Sequence, residues 1–281
     1  MVIKECILKA SEILRASGTE TGVLDARVLL CHVLGKSDVY IITNPDEKVS
    51  DAHSIKFFEL VERRANDEPV AYITGEKEFM SLSFYVDKNV LVPRPDTEHL
   101  AELAIELVNK YNIHNVADFC TGSGAIAISI GKNCPDALIT GYDISHDALS
   151  VAQKNKERLT ADNVNFMSLD VLKDLKNINC KYEIVVSNPP YISREEMKEL
   201  DKTVNFYEPH LALYGGVDGL DFYKVISDQG KYFLEENGIL AFEVGHTQAD
   251  DVANIMEKNF KDIQIKKDYA DIERIVWGIL K

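Results

Sequence analysis

No stretch of this sequence approaches the roughly 20 consecutive apolar residues that a membrane helix needs, so no spanning segment is expected. The first residues, Met1-Val2-Ile3-Lys4-Glu5-Cys6, lack the layout of a signal peptide, which points to the cytoplasm. Cysteine is scarce. Cys6, Cys31, Cys120, Cys134 and Cys180 are scattered, and no Cys-x-x-Cys pair occurs. Neither a zinc site nor a disulfide framework is suggested, and an odd count without export signals fits reduced thiols. The histidines lack metal-ligand spacing, so no metal is expected. Positive charge is in deficit too. The 281 residues carry a net charge of −15, and no basic cluster exceeds Arg63-Arg64. A protein that grips nucleic acid by its phosphates usually presents a basic surface, so direct nucleic-acid binding is disfavoured. Repeats and low-complexity tracts are absent.

What is present is ordinary for a globular chain. Hydrophobic residues make up 46% and charged residues 27%, enough for one large domain and a small one. Residues 1–75 read as a small helical bundle. Ile3, Ile7, Ala10 and Leu14 recur at helical spacing before Gly18, and Leu24, Val28, Cys31 and Leu34 form a second stripe before Gly35. Ser50 is placed to cap a third helix carrying Ile55, Phe58 and Val61. Residues 76–92 read as a β-hairpin linker. Leu82, Phe84 and Val86 alternate with polar positions, Asp87-Lys88-Asn89 marks a turn, and Val90-Leu91-Val92 is the return strand. Residues 93–281 form the main domain. It opens on Pro93-Arg94-Pro95-Asp96-Thr97-Glu98, where Asp96 or Thr97 can cap a helix through Leu103 and Leu107.

Beyond Asn115 strands and helices alternate. The expected strands are Val116–Cys120, Leu138–Asp143, Val164–Leu169, Tyr182–Ser187, Ile239–Val244, Ile263–Lys267 and Arg274–Leu280. Alternation means an α/β fold with a mainly parallel, doubly wound, Rossmann-like sheet. The last two strands are too close for a crossover helix, so they should pair antiparallel.

Two motifs carry chemistry. Asp118-Phe119-Cys120-Thr121-Gly122-Ser123-Gly124-Ala125 follows the first strand of that sheet and opens a helix. Ligands of open α/β sheets bind at such strand ends. Asp143 ends the second strand, where a carboxylate can accept both hydroxyls of a ribose. Asp170 ends the third and can face an adenine amino group. Asp118 can orient the loop, approach a methionine amino group, or cap loop amides as a buried carboxylate. Taken alone, the loop is ambiguous. Gly122-x-Gly124-x-x-Ala127, with an acidic residue about 20 positions on, also satisfies the nicotinamide-dinucleotide fingerprint.

The second motif is Asn188-Pro189-Pro190-Tyr191, directly after the fourth strand. Two prolines fix φ and remove two N–H donors. The Asn188 side-chain oxygen and the carbonyls of Asn188 and Pro189 can then accept from an incoming –NH2, while Tyr191 offers an aromatic face. Such acceptors suit a nitrogen that is to be methylated from a sulfonium, because they draw electron density toward it. Hydride chemistry has no use for them.

With Pro93-Arg94-Pro95-Asp96-Thr97-Glu98, Gly215-Gly216-Val217-Asp218-Gly219-Leu220, Glu208-Pro209-His210-Leu211-Ala212-Leu213 and Glu243-Val244-Gly245, these motifs give the chain a resemblance over nearly its whole length. It resembles the HemK/PrmC family, the N5-glutamine methyltransferases that modify peptide-chain release factors. The resemblance implies a class I methyltransferase sheet, S-adenosyl-L-methionine as cofactor, and the glutamine of the Gly-Gly-Gln loop in bacterial class-1 release factors as substrate. It implies a cofactor site at Asp118, Cys120, Thr121, Gly122, Ser123, Gly124, Asp143, Ile144, Asp170, Val171 and Asn188. The glutamine amide is expected at Asn188, Pro189, Pro190 and Tyr191, with Asn188, Pro189 and Tyr191 as the catalytic set. The helical domain is expected to hold the release factor.

One position departs from the family, which usually has glycine where this chain has Cys120. A positive φ there would strain a cysteine. A tolerated variant with a slightly altered cofactor pocket is expected. A catalytic thiol is disfavoured, because amide methylation needs no covalent intermediate. Arg94 is expected either at the active site or paired with a carboxylate, and Glu208 and Glu243 as loop anchors. His99, His146 and His210 are expected as surface or capping residues, and Trp277 in the core. Three other readings stay open, one of them a nicotinamide-dependent oxidoreductase, which the glycine loop alone allows. An adenine-N6 methyltransferase acting on DNA or RNA would use the same motif on a flipped base, but calls for a recognition domain or basic channel. A non-catalytic scaffold of this fold is opposed by the intact Asp143 and Asn188.

Overall fold

Apolar residues at helical spacing set the N-terminal part into five helices, α1 (Ile3–Ala16), α2 (Gly22–Leu34), α3 (Asp38–Thr43), α4 (Asp51–Ala65) and α5 (Val70–Thr74). The computed structural model describes all residues, Met1–Lys281. Ser50 caps α4 by accepting the His53 N–H at 3.2 Å, and Gly35 ends α2 in the left-handed conformation. α1 buries Ile3, Cys6, Ala10 and Leu14. In α2 the buried apolar face is Ala26, Leu29, Leu30 and Val33, while the predicted Leu24 and Val28 are exposed. α2 is apolar over most of its circumference, so spacing alone allows two faces and packing against α1 and α4 chooses one. In α4 Phe57, Leu60 and Val61 are buried and Ile55 is exposed. A largely buried ion pair, Arg64 to Asp25 at 2.7 Å, ties α4 to α2.

β1 (Glu76–Phe79) and β2 (Leu82–Tyr85) form a two-stranded sheet. Its turn, Met80-Ser81, has φ of +50° and +59°. Two positive φ values give a primed turn, whose twist matches a hairpin. The hairpin therefore lies earlier than predicted. Asp87 does form a turn, with its Oδ1 accepting the Asn89 N–H at 2.9 Å, but residues 90–92 are not a strand. Asp-Lys-Asn carries turn chemistry that Met-Ser does not, which is why the sequence misdirects here.

The rest of the chain comprises α6 (Glu98–Tyr111), β3 (Asn115–Phe119), α7 (Ala125–Asn133), β4 (Leu138–Asp143), α8 (His146–Leu159), β5 (Val164–Ser168), β6 (Tyr182–Ser187), α9 (Lys202–Tyr207), α10 (Asp221–Phe233), β7 (Leu234–Glu243), α11 (Ala249–Met256), β8 (Phe260–Lys267) and β9 (Glu273–Leu280). The seven-stranded sheet has the order β5-β4-β3-β6-β7-β9-β8. β3, β4, β5, β6 and β7 run parallel, and β9 pairs antiparallel with both β7 and β8. The antiparallel pair was expected; the insertion of β9 between β7 and β8 was not. Chain contacts divide the molecule into two units. Met1–Glu76 forms one, together with Asp201–Tyr207, whose Tyr207 hydroxyl donates to the Asn66 carbonyl at 2.8 Å. Lys77–Leu200 and Glu208–Lys281 form the other.

The central strands β3 and β6 are buried on both faces and read as largely apolar runs, whereas the edge strand β5 is mostly exposed. Val116 and Ile184 face a core shared with α6, α7, Phe79 and Phe84. Ala117, Phe119 and Val185 face the opposite core, with Tyr223 and Phe233 of α10 and Val252 and Met256 of α11. Phe119 makes edge contacts with Tyr142 and Phe233; truncating such a residue costs about 3–5 kcal/mol. Trp277 packs half-buried against the first core, as expected. Strand order reverses between β3 and β6, and that switch point opens a crevice at the carboxyl ends of the strands. No helix is long and apolar enough to cross a membrane.

Candidate active site

β3 runs into a loop in which every second residue is left-handed. Cys120 has φ +61°, Gly122 +54° and Gly124 +79°. The two glycines serve different ends. A Cβ on Gly122 would meet nothing within 4 Å, so this backbone borders open space. A Cβ on Gly124 would lie 2.7 Å from the Phe166 ring and 3.2 Å from Ala152, so glycine lets α7 start close to its neighbours. Cys120 holds its conformation at a cost of about 1–2 kcal/mol. Burial, then the charges of Asp143 and Asp118, push its thiol well above the ordinary range. It stays protonated at neutral pH and is no nucleophile.

Asp143, at the end of β4, closes the loop from the front. Its Oδ2 accepts the Gly122 N–H and its Oδ1 the Ser145 N–H, both at 2.9 Å. Burial raises its pKa and these backbone donors lower it. Each oxygen keeps a lone pair for a further donor. Asp170 accepts the Leu172 N–H at 3.0 Å and pairs with Lys173 at 2.6 Å. A cleft of about 260 Å³ lies here, lined by Cys120, Gly122, Asp143, Ile144, Asp170 and Val171, and by Asn188 and Pro190. Val90, Leu91, Leu169 and Phe222 give it apolar walls. Carboxylates at the ends of two strands, an apolar slot and an open glycine backbone suit a nucleoside with a charged tail.

Asp118, Thr121, Ser123 and Gly124 do not line the cleft. Asp118 is wholly buried on β3 and accepts the Thr121 hydroxyl at 2.6 Å, while its Oδ1 has no partner. Burial pushes its pKa up to about 7. Its reach is to the loop from behind. The Ser123 carbonyl accepts from Asn155 at 2.9 Å. Sequence reasoning missed Asn155. It is fully buried in α8 beside Val151 and Ala152, and it also pairs both ways with the Tyr85 backbone at 2.7 and 2.9 Å. The signal was there: an asparagine inside an apolar stripe.

Asn188-Pro189-Pro190-Tyr191 leaves β6 on the other side of the cleft. Ser187 donates to the Phe119 carbonyl at 2.7 Å, joining β6 to β3 where both motifs begin. The Asn188 Nδ2 donates to Thr97 Oγ1 at 3.1 Å, which leaves Oδ1 as its free acceptor. Asp96 or Thr97 was expected to cap α6; Thr97 is the N-cap residue but makes no side-chain cap bond, and its hydroxyl oxygen accepts from Asn188 instead. Pro189 and Tyr191 do not line the cleft. Tyr191 is largely buried, and burial, then the Glu243 charge, pushes its phenol up to about 12. The Gly-Gly-Val-Asp-Gly-Leu segment braces the motif from outside. A Cβ on Gly215 would lie 2.6 Å from the Pro190 carbonyl oxygen, and one on Gly219 2.3 Å from that of Tyr191. Gln248, also missed, donates to the Tyr191 carbonyl at 3.0 Å and accepts the Gly245 N–H at 3.0 Å.

Arg94 pairs with the buried Glu208 at 2.6 Å. Burial raises the Glu208 pKa, and Arg94 lowers it. Glu243 is buried at the end of β7 beside Thr97 and Asn188. His146 and His210 are exposed. His99 is not a surface residue: it is buried edge-on against Tyr269, with Nδ1 3.3 Å from Glu102.

Residues 5–75 match the family model described as the PrmC N-terminal domain, and residues 98–206 match the methyltransferase small domain. The release factor glutamine methyltransferase of Clostridium acetobutylicum is 40% identical over 281 residues, 99% of each chain. That of Clostridium botulinum is 37% identical over 279 residues, 98% of each chain. The hMettl16 catalytic domain, solved with the MAT2A 3′UTR hairpin 6, shares the fold at a TM-score of 0.57, 15% identity and 82% of each chain. Full-length identity at this level, together with the matched N-terminal domain and the Asn-Pro-Pro-Tyr geometry, places the chain in the release factor glutamine methyltransferase family.

Proposed function

We infer that this enzyme transfers a methyl group from S-adenosyl-L-methionine to the side-chain amide nitrogen of the glutamine in the Gly-Gly-Gln loop of bacterial class-1 release factors. The observation that carries this is Asn188, which lines the cleft with Nδ2 tied to Thr97 and Oδ1 free to accept. An amide nitrogen is a poor nucleophile because its lone pair is shared with its carbonyl. Asn188 Oδ1 accepts from the substrate –NH2 and turns its lone pair toward the cofactor. When bound, S-adenosylmethionine supplies a methyl group on a sulfonium that departs as a neutral thioether. Orientation by the protein is worth up to roughly 7–11 kcal/mol, so no strong base is needed before transfer.

Asp143 is assigned to the ribose hydroxyls, the Gly122 backbone to the methionine portion, and Asp170, Ile144 and Val171 to the adenine. Asp118, Thr121 and Ser123 act behind the loop, holding its backbone in shape. Pro190 lines the cleft beside Asn188, and Pro189 and Tyr191 support the motif from outside it. Residues 1–75 are assigned to docking of the release factor, since they hold no catalytic constellation. The full chain, incubated with labelled S-adenosylmethionine and purified release factor and followed by peptide mass mapping, tests the assignment. Label on the Gly-Gly-Gln glutamine is expected; label elsewhere, or none, overturns it.

A further inference from the structure

We propose that Asn155 of α8 is a positioning residue for the cofactor, whose single amide fixes both the glycine loop and the cleft-lining residues 89–91. This rests on the reading of that cleft as the S-adenosylmethionine site.

The Asn155 side chain is wholly buried and does not line the cleft. A primary amide offers two N–H donors and a carbonyl acceptor, and here each is used. Oδ1 accepts the Tyr85 N–H at 2.7 Å, and Nδ2 donates to the Tyr85 and Ser123 carbonyls, both at 2.9 Å. Those polarities fix which way the amide faces. They also select the residue type. Aspartate would set a charge against two carbonyls, and a hydroxyl has only one hydrogen to give.

On the loop side, the Ser123 carbonyl shares a peptide unit with the Gly124 N–H, which donates to the Thr121 carbonyl at 2.9 Å. A peptide unit is planar, so anchoring both of its polar groups sets its orientation. One residue earlier, the Gly122 N–H is held by Asp143 at 2.9 Å. Gly122 is thus presented to the cleft between two anchored peptide planes. Gly122 and Gly124 sit at φ +54° and +79°, and glycine leaves such values easily, so the loop's shape depends on anchors outside it. On the other side, the Tyr85 hydroxyl donates to Asp87 Oδ2 at 3.0 Å, and Asp87 Oδ1 accepts the Asn89 N–H at 2.9 Å. Asn89, Val90 and Leu91 line the cleft and belong to no helix or strand, so side-chain anchors of this kind hold them.

Both chains of contacts start at one amide. Losing it loosens two parts of the cofactor cleft together. Asn188 is anchored separately, through Thr97 at 3.1 Å, so its orientation survives. The loss should therefore fall on cofactor affinity and spare the transfer step. It should also fall equally on S-adenosylmethionine and S-adenosylhomocysteine, because Asn155 acts on the walls and carries no charge toward the sulfonium.

The test uses the full-length enzyme with both ligands and release factor. Asn155→Ala should weaken binding of each ligand by about tenfold or more in calorimetry and leave the ratio of the two constants at its wild-type value. Single-turnover transfer at saturating cofactor should stay near the wild-type rate. Asn163→Ala is the matched control. The Asn163 amide also donates to backbone carbonyls, those of Gly131, Cys134 and Ala137, none of which lines the cleft. That variant should lose stability and keep its cofactor affinity. If Asn155→Ala does not fold, Asn155→Ser, which retains one donor, is held to the same outcomes. Unchanged affinity, the same weakening in Asn163→Ala, or a transfer rate that falls while affinity holds overturns the positioning role. A wild-type enzyme that binds neither ligand overturns the assignment of the cleft itself, which is a separate outcome.

Discussion

Replacing Asp118 with Asn should flatten the pH dependence of stability. Asp118 is wholly buried on β3, with one oxygen on Thr121 at 2.6 Å and the other without a partner. Its carboxyl stands at about 7 in the folded protein against an ordinary 3.8, with burial as the first cause. The folded state therefore holds the proton where the unfolded state has released it. Stability is highest below the unfolded value and falls as pH rises toward about 7. At about 1.4 kcal/mol per pH unit, the loss is on the order of 4 kcal/mol. Asn cannot ionise. It leaves an unpaired buried –NH2 at a constant cost of about 1–3 kcal/mol, so the slope reports and the intercept does not. Urea unfolding of both proteins from acid to neutral pH measures the difference. Wild type should lose its advantage over, or gain a deficit against, Asp118→Asn by a few kcal/mol between pH about 4 and about 7, then run parallel. Parallel curves throughout would refute the account of a buried, charge-resisting carboxyl.

Asp143→Ala should weaken S-adenosylmethionine binding by about 1.5–3 kcal/mol per lost charge-assisted hydrogen bond; unchanged calorimetric affinity would remove it from the cofactor site. Asn188→Asp should keep cofactor binding, turn over more slowly, and raise the ratio of product to cofactor dissociation constants, because a carboxylate favours the cationic ground state. Calorimetry on both ligands and single-turnover rates check this, and faster turnover would contradict it. Leu24 and Val28 share the exposed side of α2. Leu24→Glu with Val28→Glu should raise the KM for release factor and leave cofactor affinity alone; an unchanged KM would argue against docking through this surface.

Much of the site could be read without coordinates because its residues are contiguous. The alternation of strands and helices implied the parallel sheet, and any parallel sheet of this kind places its strand ends along one crevice. Cys120 to Gly124, Asp143, Asp170 and Asn188 to Tyr191 each follow a strand, so their convergence came with the topology. Left-handed backbone at Cys120 could be anticipated from the glycine that the family usually has at that position. The hairpin could not, since Met80-Ser81 adopts a primed turn with residues that do not announce one. Periodicity also failed to phase α2, where apolar residues occupy several faces and only packing against α1 and α4 selects Leu29 and Val33.

The sequence by itself determined the fold class and the positions of the glycine loop and the Asn-Pro-Pro-Tyr motif at strand ends, because these follow from local patterns and from rules that link strand order to ligand position. Tertiary structure alone decided what stands behind them. Thr97, Asn155 and Gln248 act across long separations along the chain, on backbone or amide groups of other segments. Asp118 and Tyr191 lie outside the cleft wall, and the Tyr207 hydroxyl on the Asn66 carbonyl accompanies the grouping of Asp201–Tyr207 with the N-terminal unit. A buried polar side chain is defined by the partner that satisfies it, and only the folded chain names that partner.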